Sequence, residues 1–149
     1  MVNRVNKRTR FKQLIDYTET MEHEALKIGF NDCNIMALEA IDLMTGSDYS
    51  SLLKGQYKSY RKGLRLGKEI HGYALLSDLL KDIAKEIPVN NSHIGDILVQ
   101  DLTQGKSYIS CCYVCVGAST FLSANTQTKQ IEVVYLLSAD LEDLKAYRL

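Results

Sequence analysis

Apolar residues recur at helical spacing through the first half of the chain and at strand spacing through the second. Phe11, Leu14, Ile15, Thr18 and Met21 hold a helical period that runs on to Leu26 and is closed by Gly29. Asp32 then stands where an N-cap belongs, ahead of Ile35, Met36, Leu38, Ala40, Ile41, Leu43 and Met44, with Gly46 as the stop. A helix apolar on most of its circumference is expected at the centre of the core. A basic helical stretch from about Leu52 to Leu66 follows, its ends blurred by Gly55, Gly63 and Gly67. A fourth helix is predicted from Tyr73 to Ile87, ending before Pro88, which with Asn90, Asn91 and Ser92 marks a hinge between the halves.

Beyond the hinge, strands are predicted from Ile97 to Leu102, Ser107 to Val116, Thr120 to Ala124 and Gln130 to Leu137. Thr103 to Lys106 reads as a hairpin loop, and Asp140 to Tyr147 as a short terminal helix or turn. Helices first and antiparallel strands afterwards imply an α+β domain, N-terminal helices packed on a C-terminal β-meander. There are no repeats or low-complexity linkers, so residues 1–149 are expected to form one domain, with 1–9 a flexible basic arm.

The formal net charge is zero, so no global field favours nucleic acid or membrane. No apolar run approaches the ~20 residues that span a bilayer. The basic first ten residues have neither an apolar core nor a cleavage site, and the expectation is a cytosolic product. Its four cysteines, at 33, 111, 112 and 115, are then expected as free thiols. Neighbouring strand cysteines do not converge on a tetrahedron, so no metal and no cofactor is expected.

Cys33 is the candidate for chemistry. A cysteine in the first turn of a helix meets the positive end of the macrodipole and free N–H groups, which favour thiolate and can cradle an oxyanion. The plain alternative is a small buried hydrophobe. Asp32 beside it can orient a base, and more simply caps the helix.

Gly29-Phe30-Asn31-Asp32-Cys33 leading into an apolar helix resembles the nucleophile segment of NlpC-type cell-wall cysteine peptidases, and Gly95-Asp96-Ile97-Leu98-Val99 resembles their Gly-Asp strand. The chain is also similar, over roughly residues 10–149, to a small family of phage and prophage proteins. Its motifs here are Asp32-Cys33, Thr45-Gly46-Ser47-Asp48, Gly55-Gln56-Tyr57, Gly95-Asp96 and Ala146-Tyr147-Arg148-Leu149. The resemblance implies a papain-like fold. It also implies a departure. When Gly117 is aligned with the last glycine of the peptidases' His-x-Gly-x-x-x-Gly segment, Cys111 falls where the histidine belongs and Tyr113 at the inner glycine. A thiol does not replace an imidazole as a base near neutral pH.

Of the three histidines, His93 just before Gly95-Asp96 is the candidate substitute base; His23 and His71 fall on helical segments and are expected to face solvent. A dyad-like separation of backbones also argues against a Cys33–Cys111 disulfide, and the β-strand cysteines read as sheet packing.

Lys54, Lys58, Arg61, Lys62, Arg65 and Lys68 form a run without an intervening acid. On a helix they make a stripe that is either a solvated face or a contact surface for an acidic partner. The resemblance implies a phage context, and with the histidine missing the expected function is a non-catalytic, virion-associated structural protein at the tail or head–tail junction. It would be made in the host bacterial cytoplasm and would bind other phage structural proteins in multiple copies. The alternatives are a phage cell-wall cysteine peptidase or amidase using Cys33 as nucleophile, and an intracellular accessory protein.

Overall fold

The computed structural model describes residues 6–104 and 107–149, with the backbone alone for 103, 104 and 107–109. It is an α+β fold, helices packed on an antiparallel six-stranded sheet. The helices are α1 (Lys7–Met21), α2 (Cys33–Thr45), α3 (Tyr60–His71), α4 (Leu76–Ile83) and the single turn α5 (Ser138–Leu141). The strands are β1 (Lys85–Ile87), β2 (Ile97–Gln104), β3 (Ser107–Gly117), β4 (Thr120–Asn125), β5 (Gln130–Tyr135) and β6 (Lys145–Arg148), in the order β1-β6-β2-β3-β4-β5.

The central helix is as expected. The Asp32 side chain accepts from the N–H groups of Asn34 and Ile35, Gly46 closes the helix at φ 75°, and seven of its residues are buried. α2 lies against β3, and Ile35, Met36, Ile41, Ile97, Val99 and Val114 join helices and sheet in one core. On the opposite sheet face Leu98, Cys115, Phe121 and Ala146 pack with Leu141 and Leu144 of the C-terminal segment.

Four expectations change. Residues 7–9 belong to α1, whose N-cap is Asn6, so the arm predicted over 1–9 is already helical there, and residues 1–5 lie outside the described chain. α1 stops at Met21, not Leu26, because the backbone of 23–26 is taken by β5: His23 N–H donates to Ile131 O, Ile131 N–H to Glu24 O and Leu26 N–H to Lys129 O. α3 begins at Tyr60, capped by Ser59, and Gly67 sits inside it, while Gly72 at φ 83° ends it. The predicted fourth helix is cut to Leu76–Ile83, and its tail becomes β1.

The C-terminus departs furthest from its predicted helix or turn. β6 inserts between β1 and β2, so only β2 to β5 form a meander. Two short pieces, three and four residues, give no readable alternation. Their strand state comes from pairing with each other and with β2. Of the predicted loop of 103–106, residues 103 and 104 belong to β2, and 105–106 lie outside the described residues.

Candidate functional site

The site is assembled where the first turn of α2 meets β3. β3 pairs with β4 only from Val114 onward, which leaves the preceding half of β3 without a β4 neighbour. Backbone acceptors on that edge need other donors. Asn34 Nδ2 donates to Ser110 O at 3.1 Å, and the Cys33 thiol lies 3.6 Å from the same oxygen. Ser110 is itself fixed, its hydroxyl donating to Asp101 Oδ1 at 2.6 Å while Ser77 of α4 donates to Asp101 Oδ2 at 2.6 Å.

Asp32 is fully buried, and its carboxylate has four hydrogen-bond donors. Oδ1 accepts from Asn34 N (3.1 Å) and Ile35 N (3.0 Å); Oδ2 accepts from Gly29 N (2.7 Å) and the Tyr57 hydroxyl (2.7 Å). Such an array holds a buried anion without a cation. It also occupies the N–H groups of Asn34 and Ile35, two of the donors that an oxyanion would need. Asp32 orients the helix start and leaves no imidazole to orient.

Tyr57 is the residue whose role sequence reasoning missed, although Gly55-Gln56-Tyr57 had been singled out as a motif. A Cβ on Gly29 would lie 1.9 Å from Tyr57 O, and one on Gly63 would lie 2.9 Å from the Tyr57 ring. Those two glycines let the phenol reach the carboxylate. Burial and the neighbouring Asp32 charge push the Tyr57 pKa up, so the phenol stays a donor. Asn31 secures the preceding loop, accepting from Lys27 N at 2.7 Å and donating to Ala25 O at 2.9 Å.

Around Cys33 the neighbours are thiols. Hydrogen bonding from Cys111 favours the Cys33 thiolate, but the Cys112 thiol and burial outweigh it and hold Cys33 well above the ordinary thiol range. Cys111 is raised too, first by its contact with Cys33 and then by burial. The Asn34 amide touches both sulfurs, its Nδ2 3.7 Å from Cys33 Sγ and its Oδ1 3.9 Å from Cys112 Sγ. Cys115 belongs to the opposite sheet face, as strand alternation predicts. All four cysteines are free, and the described residues contain no cluster of metal-ligating side chains.

The histidines lie elsewhere. His93 shares a surface depression with Met44, near the far end of α2, about 16 Å along the helix from Cys33 at 1.5 Å per residue. His93 is therefore not the partner of Cys33 proposed from sequence. His23 is exposed at φ 73°, outside any helix. His71 is not free in solvent: its Nε2 lies 2.8 Å from Tyr49 O, at the opposite end of α3 from Tyr60. Tyr60 is the phenol whose pKa is raised by burial and by the nearby Cys33. From Asn34 a narrow apolar cleft runs between α2, α3 and α4, lined by Leu38, Tyr60, Leu64, Tyr73, Leu75 and Leu79.

The basic residues separate into two groups. Lys54 and Lys58 lie in the turns before α3, and Lys54 pairs with Glu39 at 2.9 Å. Arg61, Lys62, Arg65 and Lys68 are exposed on α3 and make no ion pair among the described residues. Arg61, Arg65 and Lys68 fall within about 60° of one another on the helix.

The Gly-Asp and C-terminal motifs form a second structural device. Asp96 is buried and receives Arg148 in two bonds, Nε to Oδ1 at 3.1 Å and Nη2 to Oδ2 at 2.8 Å, along with His93 N at 2.8 Å. Arg148 also donates to Asn91 O at 3.0 Å. This clamp ties β6 to the start of β2, away from the thiols.

Fold and site together define a small α+β domain in which a capped cysteine helix abuts a sheet edge that offers thiols, not an imidazole. The chain belongs to the family described as a domain of unknown function (DUF6950), whose model matches residues 5–140. No curated protein and no solved structure matches it. No helix among the described residues is long and apolar enough to cross a membrane.

Proposed function

We propose that this domain is a non-catalytic structural component of a bacteriophage particle, at the tail or head–tail junction, on a degenerate NlpC-like, papain-like cysteine-hydrolase fold. The observation that carries the non-catalytic reading is the set of groups around Cys33: thiols of Cys111 and Cys112, and no histidine. Hydrolysis of an amide through a thioester requires a thiolate and an acid to protonate the leaving amine. A thiol raised above its ordinary range, beside helix N–H groups already bound by Asp32, supplies neither. The phage context follows from the motif resemblance, by analogy.

Alkylation of Cys33 tests the catalytic half, in protein whose other three cysteines are changed to Ser or Ala. A raised pKa means little thiolate at pH 7, so labelling should be slow there and climb only above the ~8.5 of a free thiol. A rapid phase with an apparent pKa well below that value would restore the hydrolase reading. Mass spectrometry of gradient-purified particles tests the other half. The protein should be present at a fixed copy number, and Cys33→Ser particles should remain infectious. Absence from particles would make it an intracellular accessory protein.

The α3 face supports a contact with an acidic surface on a neighbouring particle protein. Reversal of Arg61, Arg65 and Lys68 to Glu should reduce incorporation by tenfold or more, written as about 1.4 kcal/mol or greater, and leave the unfolding midpoint near that of the wild type. Normal incorporation of the folded triple variant would remove this face from the interface.

A further inference from the structure

We propose that the cleft between α2, α3 and α4 binds a free long-chain fatty acid, its alkyl chain in the cleft and its carboxylate on Arg61 and Lys68 of α3. The cleft encloses about 580 Å³, its open mouth included, within the ~300–1,000 Å³ typical of small-molecule sites. Tyr60 and His71, at the two ends of α3, both line it, so it runs about 16 Å along that helix at 1.5 Å per residue. Over that length its mean section is at most roughly 35 Å², which admits one extended chain but not a helix about 10–12 Å across.

The lining selects the kind of chain. Leu38, Leu64, Leu75 and Leu79 form much of the wall, and four polar side chains beside them are already engaged. Asn34 bonds Ser110 O, Tyr57 bonds Asp32, Tyr73 bonds Asp82, and His71 Nε2 meets Tyr49 O. A peptide would carry main-chain N–H and C=O groups into this slot and leave most of them without partners. An alkyl chain carries none, and each methylene removed from water tightens binding by roughly fourfold. Charge then selects the head group. Leu64 lines the cleft, and Arg61 and Lys68, three residues before it and four after, are its neighbours on the α3 surface. Both are exposed and make no ion pair among the described residues. On α4 the corresponding neighbours of Leu75 and Leu79 are Asp78 and Asp82, so an anionic head lies toward α3. Binding of a free fatty acid goes beyond the particle role and stands whether or not the α3 face also meets a neighbouring protein.

The test titrates the full chain with sodium dodecanoate, below its micellar concentration and at neutral pH, in a calorimeter. Binding should saturate at one molecule per chain. Hexanoate should bind on the order of a hundredfold more weakly, having fewer methylenes to bury. Dodecyltrimethylammonium, with the same chain and the opposite charge, should lose about tenfold or more. Arg61→Glu combined with Lys68→Glu should weaken dodecanoate to a similar extent, and circular dichroism should show the fold unchanged, since both side chains are exposed. Leu64→Trp should fill the cleft and abolish binding; the chain has no other tryptophan, so a blue-shifted indole emission would report that the ring is inside. The comparisons of chain length and head group use the wild-type protein and decide the matter even if Leu64→Trp fails to fold. No saturable binding of dodecanoate, equal affinity for hexanoate or for the cationic amphiphile, or undiminished binding by the folded charge-reversed variant would each overturn the proposal.

Discussion

Asp32→Ala is expected to destabilise the domain by about 3–5 kcal/mol, as read from urea unfolding. Loss of an N-cap alone costs about 1 kcal/mol. Here the substitution also strands buried donors on Gly29 and Tyr57, each costing about 1–3 kcal/mol when left unpaired. The series should be graded. Asp32→Asn keeps an acceptor for the helix N–H groups but turns an NH2 toward Gly29 N and the Tyr57 hydroxyl, and falls between the extremes. Tyr57→Phe leaves the carboxylate three of its four donors and should cost only about 1–1.5 kcal/mol. If Asp32→Ala proved as mild as Tyr57→Phe, the carboxylate would not be the centre of this network. The result separates structure from chemistry at the site, because Asp32 then explains the Asp-Cys motif without any catalytic role.

Arg148→Ala is expected to cost about 3–4 kcal/mol, because it leaves the Asp96 carboxylate buried with only His93 N–H as a side-chain partner. The penalty comes from the stranded charge more than from the lost attraction. Asp96→Asn introduced together with Arg148→Met should therefore recover part of it. Equal losses for the single and double variants would mean that the guanidinium acts mainly through its bond to Asn91 O. Released β6 would expose one side of β2 and the paired side of β1, so protection of amide hydrogens in those strands should fall first.

The two devices give motifs that resemble a hydrolase's a structural role of their own, which under the proposed function lets them persist without its chemistry. Asp32-Cys33, Gly55-Gln56-Tyr57, Gly95-Asp96 and the Ala146-Tyr147-Arg148-Leu149 tail all have packing or hydrogen-bonding roles. Cys33 is the one motif residue whose neighbours are other reactive groups, and those groups are thiols.

The sequence by itself determined the α+β class, the capped central helix from Asp32 to Gly46 and the strands from Ile97 onward. Those features are local: a cap and its N–H groups lie within three residues, and alternation along a long strand is written in the chain. Tertiary structure alone decided the rest. Lys85–Ile87 and Lys145–Arg148 are strands because each supplies the other's hydrogen bonds, and neither is long enough to show a period. The segment 22–26 leaves α1 because β5 competes for its backbone. His93 looked near Cys33 because strand-entry loops can approach a helix terminus, but Gly95 packs against Met44, at the wrong end of α2. The Tyr57–Asp32 bond spans 25 residues and depends on two glycines that remove Cβ atoms from its path. Separations of that kind are set by how elements pack, and no local pattern encodes them.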